Sequence, residues 1–218
     1  MFAEVRKSLY NAQSKSKINI VLNVLIVIMV IALIIEISFG INYAGYYVVH
    51  SSMSPTLTGA VDYNVDGGDY VYVNKNAQPT YGDIVVVSKV KNTTIIKRVI
   101  ALGGDYVKLV NGELQIKYKG SENFVTVNEP YVAAENNTSN TKNTYPKNNL
   151  DEGYFVEEGK MFLLGDNRDV SVDSRDSGSF PLTSLYGVVT NWSLKNKKFL
   201  TSLHNYFKFQ LPRYFGFN

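Results

Sequence analysis

The sequence predicts a mainly β protein: an antiparallel β-sheet domain preceded by one N-terminal transmembrane helix. Three observations carry this. From Ile18 to Ile35 the chain is apolar except for Asn19 and Asn23, and after Glu36 the run resumes from Ile37 to Ile41. Beyond it, short runs of branched and aromatic residues alternate with turn residues, which is how strands read. Tyr (16) and Phe (11) are plentiful, which favours strands over helices.

Composition limits what the chain does. Its 218 residues fit one domain and an appendage. A net charge of +3 is too small to point to nucleic acid. There is no cysteine, which excludes disulfides and thiolate metal sites without fixing the compartment. His50 and His204 are the only histidines, so a His-based zinc site would need both plus carboxylates. No metal or cofactor is expected.

Taken in order, residues 1–17 are polar, with Arg6, Lys7, Lys15 and Lys17 against Glu4. Residues 18–41 are the anchor, because roughly 20 residues at about 1.5 Å rise cross the hydrocarbon core. Glu36 then lies near the far interface. A cleaved signal peptide is the alternative, since Ser38-Phe39-Gly40 reads small-x-small. The apolar run is longer than the roughly 7–15 residues of such a peptide, which favours an uncleaved anchor. The positive flank keeps residues 1–17 in the cytoplasm and puts residues 42–218 outside, in a single-pass membrane protein.

Strands are expected at Asp69 to Val73, Asp83 to Val87 and Thr94 to Ala101. Tyr106 to Val110 and Glu113 to Tyr118 flank Asn111-Gly112, which predicts a hairpin with a type I′ turn. Val107 and Leu109 should then meet Leu114, Ile116 or Tyr118. Residues 133–150 are rich in Asn, Thr, Ser and Lys and read as an exposed loop. Strand-like sequence returns from Gly153 to Leu164. In the tail, residues 192–218, Phe199, Leu203 and Phe207 fall at helical spacing among Lys195, Lys197, Lys198, Lys208 and Arg213. This pattern fits a basic amphipathic helix on an anionic membrane. It equally fits a terminal helix packed on the domain.

Three stretches could carry chemistry. Ser51-Ser52-Met53-Ser54-Pro55-Thr56-Leu57 offers a hydroxyl, a weak nucleophile unless a base takes its proton. Pro55 pushes Ser54 out of helical conformation. In Ile95-Ile96-Lys97-Arg98-Val99-Ile100, strand alternation puts Lys97 and Arg98 on opposite faces. One face must pack on the core, so at least one of these cations has apolar neighbours. Burial disfavours a charged amine, and a neutral lysine is a competent base, whereas arginine stays protonated. Gly165 to Arg175 packs Asp166, Arg168, Asp169, Asp173 and Arg175 into one loop, which suggests an internal salt-bridge scaffold. Asp62 to Gly67 begins like a calcium loop, but the twelfth position is Val73 where a glutamate is required, so it reads as a turn.

Together these stretches resemble the bacterial type I signal peptidases, membrane-bound Ser/Lys proteases that remove signal peptides from exported preproteins. Ser52-Met53-Ser54-Pro55-Thr56 matches the family's Ser-Met-x-Pro-Thr, and Gly82-Asp83-Ile84-Val85-Val86 matches a family strand. Lys97 to Asp105 and the complete Gly165 to Arg175 box follow in order, with Asn128-Glu129-Pro130-Tyr131 between them. The resemblance covers about residues 18–190. It implies Ser52 as nucleophile and Lys97 as general base, with Ser171 orienting the Lys97 amine. It further implies an Asp173–Arg175 salt bridge supporting the loop, and the Ser52 N–H as an oxyanion donor. It also implies preprotein signal peptides as partners, beside membrane lipid and the secretion machinery. His50 departs from the family pattern, where Ser or Gly is usual, and is a second oxyanion candidate or points away. Gly103 and Glu157 each replace a usual proline; the first is expected only to loosen a turn. A Ser/His signal peptidase would need histidine at position 97. A Ser/Lys self-cleaving repressor would need a DNA-binding module, and a catalytically silent envelope protein would not need Ser52, Lys97 and Ser171 intact.

Overall fold

A computed structural model describes residues 2–89, 93–110, 113–136 and 153–210. The chain divides into two units, Met1–Tyr43 and Ala44–Asn218. The first is one helix, α1 (Phe2–Asn42), of 41 residues. Its stretch Lys17–Asn42 is long and apolar enough to cross a membrane. The polar segment before it continues the same helix, so the expected boundary near residue 17 is a change of composition and not of backbone.

The second unit holds two sheets. Seven strands make the larger one, in the order β1-β2-β11-β3-β4-β9-β10. These are β1 (Tyr43–Tyr47), β2 (Tyr70–Asn74), β3 (Ile84–Lys89), β4 (Thr93–Leu102), β9 (Lys160–Leu164), β10 (Phe180–Pro181) and β11 (Leu185–Val189). The smaller sheet runs β7-β6-β5-β8, from β5 (Tyr106–Val110), β6 (Glu113–Lys117), β7 (Val125–Thr126) and β8 (Tyr154–Phe155). All strand pairs with a described register are antiparallel. The mainly antiparallel expectation is met.

The hairpin forms as its pattern requires: Val107 pairs with Ile116 and Leu109 with Leu114, all four buried. Its Asn111-Gly112 turn lies outside the described residues, as does most of the 133–150 loop. Strands β1 and β11 were not expected. Both are short and carry a mid-strand glycine, Gly45 and Gly187, which weakens the sequence signal. Yet β11 is central, between β2 and β3. At Gly187 a Cβ would come 2.7 Å from the Asn74 carbonyl, so the backbones approach too closely for any side chain there. Gly103 also does more than loosen a turn. A Cβ on it would lie 2.8 Å from Glu158 Cα and 3.0 Å from the Glu157 carbonyl, so the two departures from the family pattern touch.

Candidate active site

The Ser52 turn is set by its neighbours. Met53 and Leu57 are buried in the cluster that includes Val71, Val73, Ile84 and Val86, and the Leu57 N–H closes the turn on the Met53 carbonyl at 2.9 Å. As expected, the segment is turn and not helix. With Met53 anchored below, the partly exposed Ser52 lines a cleft of about 730 Å³. Among the described residues the Ser52 N–H has no hydrogen-bond acceptor.

Lys97 comes from β4, whose middle is buried on both faces: Lys97 is 3% exposed and Arg98 9%. Both cations are therefore taken out of water, where the sequence required only one. Lys97 Nζ donates to Ser52 Oγ at 2.8 Å and to its neighbour's carbonyl, Ile96 O, at 2.9 Å. Arg98 instead forks onto Asp166, with Nε to Oδ1 at 2.8 Å and Nη2 to Oδ2 at 2.6 Å. Its Nη1 donates to the Gly82 carbonyl at 2.7 Å, and its guanidinium stacks 3.9 Å from the Tyr131 ring centroid.

The loop from Gly165 to Arg175 is a scaffold whose ion pairs are both internal, as at Asp173–Arg175, and external, as at Asp166 and Arg168. Arg175 forks onto Asp173 (2.9 and 3.0 Å) and also donates to the Arg168 carbonyl at 2.8 Å. Arg168 reaches out of the loop to Glu129, at 2.9 and 2.5 Å, and Glu129 accepts the Tyr131 hydroxyl at 2.7 Å. Asp166 reaches Arg98, as above. These side chains are buried or nearly so, unlike exposed pairs worth roughly 0–1 kcal/mol. Burial pushes the Asp173 carboxyl up. The Arg175 charge and hydrogen bonds, with the Gly165 N–H, overcome that and hold it below its ordinary value. Burial, then the Glu129 carboxylate, push the Tyr131 phenol up, so it remains a donor.

The scaffold grips the serine directly. The Asn167 N–H donates to the Ser52 carbonyl at 3.1 Å. Gly165 sits so close that a Cβ there would lie 2.2 Å from Ser171 Oγ and 2.5 Å from the Ser52 carbonyl. Ser171 is thus beside the nucleophile's backbone, with its hydroxyl buried next to the Asp173 carboxylate. The expected grip of Ser171 on the Lys97 amine is not formed, and the Ile96 carbonyl holds that nitrogen. No residue-type signal could have announced a backbone acceptor. Nor did the sequence assign partners to Arg98, Glu129 or Asn167, since each contact joins segments far apart in the chain.

Around this pair the cleft is lined by Tyr46, Ile95, Ile96, Val170 and Val172, with His50 and Asp62. Pairing of β9 with β4 starts only at Arg98 opposite Leu164. Thr93 to Lys97 therefore pair with β3 on one side, and their other edge borders the cleft. His50 is exposed and is the one described non-glycine residue with positive φ, 67°. Its N–H donates to the Ala60 carbonyl at 2.8 Å.

Residues 18–193 match the family model "Signal peptidase, peptidase S26". The chain is 35% identical over 149 residues to signal peptidase I P of Bacillus subtilis subsp. natto, covering 65% of this chain and 72% of that one. It is 31% identical over 155 residues to signal peptidase IB of Staphylococcus aureus, covering 66% and 74%. A crystal structure of a signal peptidase I from Enterococcus faecalis V583 aligns with a TM-score of 0.41 and 31% identity, over 52% of this chain and 98% of that one.

Proposed function

Since the chain belongs to the peptidase S26 family of signal peptidases, which are serine endopeptidases, we propose that it cleaves signal peptides from exported preproteins with Ser52 as nucleophile and Lys97 as general base. The observation that carries this is the 2.8 Å contact between Lys97 Nζ and Ser52 Oγ, with the amine buried. Burial disfavours the ammonium, and a neutral amine takes the serine proton across that same distance.

Ser52 Oγ attacks the scissile carbonyl as its proton passes to Lys97 Nζ. The unpaired Ser52 N–H receives the developing oxyanion, where charge most needs stabilising. Lys97 then delivers the proton to the departing amine, leaving an acyl-enzyme. A water gives its proton to Lys97 and attacks the ester, and Lys97 returns that proton to the departing Ser52 Oγ, which frees Ser52 and the signal peptide's new carboxyl end. The extended substrate lies along the open edge of β4, where main-chain hydrogen bonds suit an unfolded peptide. Small residues before the cut fit against Ile95, Ile96, Val170 and Val172. The Gly165 to Arg175 scaffold, with Asp173 and Arg175, holds Ser52 in register through Asn167. Ser171 is a positioning residue that keeps the loop close to Ser52. His50 is a second oxyanion donor.

The chain acts from the membrane, held by α1, with the N-terminus in the cytoplasm and the catalytic unit outside. Detergent-solubilised protein should cut a preprotein ending in Ala-x-Ala. Ser52→Ala should bind the same preprotein without cutting it. Cleavage retained in that variant would move the nucleophile elsewhere.

A further inference from the structure

The tail forms α3 (Asn191–Lys195), α4 (Lys197–Asn205) and a π-turn (Tyr206–Gln210), and α4 packs on β2. Phe199 and Phe207 turn outward, and Lys195 and Lys198 are exposed. Lys197 turns inward instead. It opens α4, where the helix dipole disfavours a cation, so a tertiary contact has to hold it there. Its Nζ donates to Asp69 Oδ2 and to the Thr56 carbonyl, both at 2.8 Å. Asp69 is tied to the same segment: its Oδ2 accepts the Thr58 N–H and its own N–H donates to the Thr58 carbonyl, each at 2.8 Å. The ammonium is thereby fixed behind the turn that presents Ser52.

The Thr56 carbonyl heads a chain of hydrogen-bonded peptide groups that ends at the nucleophile. Its own peptide group also carries the Leu57 N–H, which donates to the Met53 carbonyl at 2.9 Å. The Met53 carbonyl shares a peptide group with the Ser54 N–H, which donates to the Ser51 carbonyl at 3.0 Å. The Ser51 carbonyl shares the last group with the Ser52 N–H, the unpaired donor at the cleft. A cation donating at the head polarises each peptide group in turn, so every N–H further along becomes a stronger donor. We propose that Lys197 is a positioning residue for the cleavage reaction: through these peptide groups it holds the serine turn and strengthens the Ser52 N–H as oxyanion donor. Lys197 lies beyond the segment matched to the family, and it acts on the substrate only through the backbone.

This rests on Ser52 being the nucleophile. The full chain in detergent is assayed for signal-peptide cleavage. Lys197→Met should lower kcat about tenfold with KM unchanged, a smaller loss than that of a deleted oxyanion donor. Lys197→Arg, which keeps a charged donor, should restore most of kcat. Thr201→Val is the control for docking of α4, because the Thr201 hydroxyl accepts the Tyr70 N–H at 2.8 Å and touches no part of the serine turn. Its kcat should be parental even where its melting temperature falls as far as that of Lys197→Met. A peptide aldehyde ending at the cut site gives a second readout. Ser52 Oγ adds to its carbonyl carbon, the hydroxyl proton passes to Lys97 Nζ, and the aldehyde oxygen takes the negative charge. Lys197→Met should weaken this aldehyde about tenfold and leave the matching alcohol, which cannot add, bound as before. Should Lys197→Met not fold by circular dichroism, Lys197→Gln carries the same tests. Parental kcat and aldehyde binding in the folded variant would overturn the proposal, as would an equal loss in Thr201→Val. An aldehyde that binds the parent no better than the alcohol would instead remove Ser52 as nucleophile, and this role of Lys197 with it.

Discussion

Lysine at position 97 and arginine at position 98 show how one bond of register separates two chemistries. Both are buried cations on β4, but Arg98 faces a carboxylate fork at Asp166, whereas the Lys97 amine meets a hydroxyl and a carbonyl. A guanidinium at position 97 would stay protonated and could not accept the serine proton. Lys97→Arg should therefore abolish cleavage while circular dichroism and thermal unfolding remain close to those of the parent; parental turnover in that variant would refute Lys97 as the base. His50 is the other residue whose conformation asks for a reason. A positive φ of 67° is unfavourable for a residue with a Cβ, and such strain collects at functional sites. The chain passes so close behind it that a Cβ on Gly59 would lie 1.7 Å from the His50 carbonyl. If its imidazole meets the oxyanion, His50→Ala should lower kcat by about 10²-fold with little change in KM, the size seen for a lost oxyanion donor. A near-parental kcat would make the residue structural.

At the level of elements, the Gly165 to Arg175 loop ties β4, β9 and the serine turn together. Its charges looked like an internal network in the sequence; Asp173–Arg175 is internal, whereas Asp166 and Arg168 bond to Arg98 and Glu129, which no local spacing could reveal. Asp173 also caps α2 (Ser174–Ser177), accepting the Arg175 N–H at 3.2 Å. Its carboxyl is held below the ordinary value, so the folded state binds this proton less readily than the unfolded one. The sign follows: Asp173 contributes stability above about pH 4, the unfolded carboxylate value, and the contribution is lost as pH falls through the lower folded value. Asp173→Asn should be destabilised by about 3–5 kcal/mol near neutrality, because Arg175 keeps a buried charge without its partner. Denaturant unfolding at a series of pH values checks this: the gap between parent and variant should narrow below about pH 4. A gap constant with pH would mean the carboxyl is not depressed.

For the whole molecule, the proposed function makes the division into a helix and a β unit the division between membrane and aqueous phase. Protease added to the outer face of intact, wall-stripped cells should degrade the unit Ala44–Asn218, while a tag before Phe2 should remain protected until the membrane is opened. Protection of the β unit instead would reverse the orientation. The long apolar helix, the β class and the hairpin register were legible in the sequence, because each depends on composition or on spacing within one short segment, where periodicity and turn chemistry act directly; Ser52 and Lys97 were singled out by the family resemblance. Other features were decided only when distant segments met: the central place of β11, the Arg98–Asp166 and Arg168–Glu129 pairs, the burial of Ser171 beside Ser52 and the outward turn of Phe199 and Phe207. Burial and partner choice are set by contacts across many tens of residues, and a linear pattern says which side chains share a face without saying what that face will find.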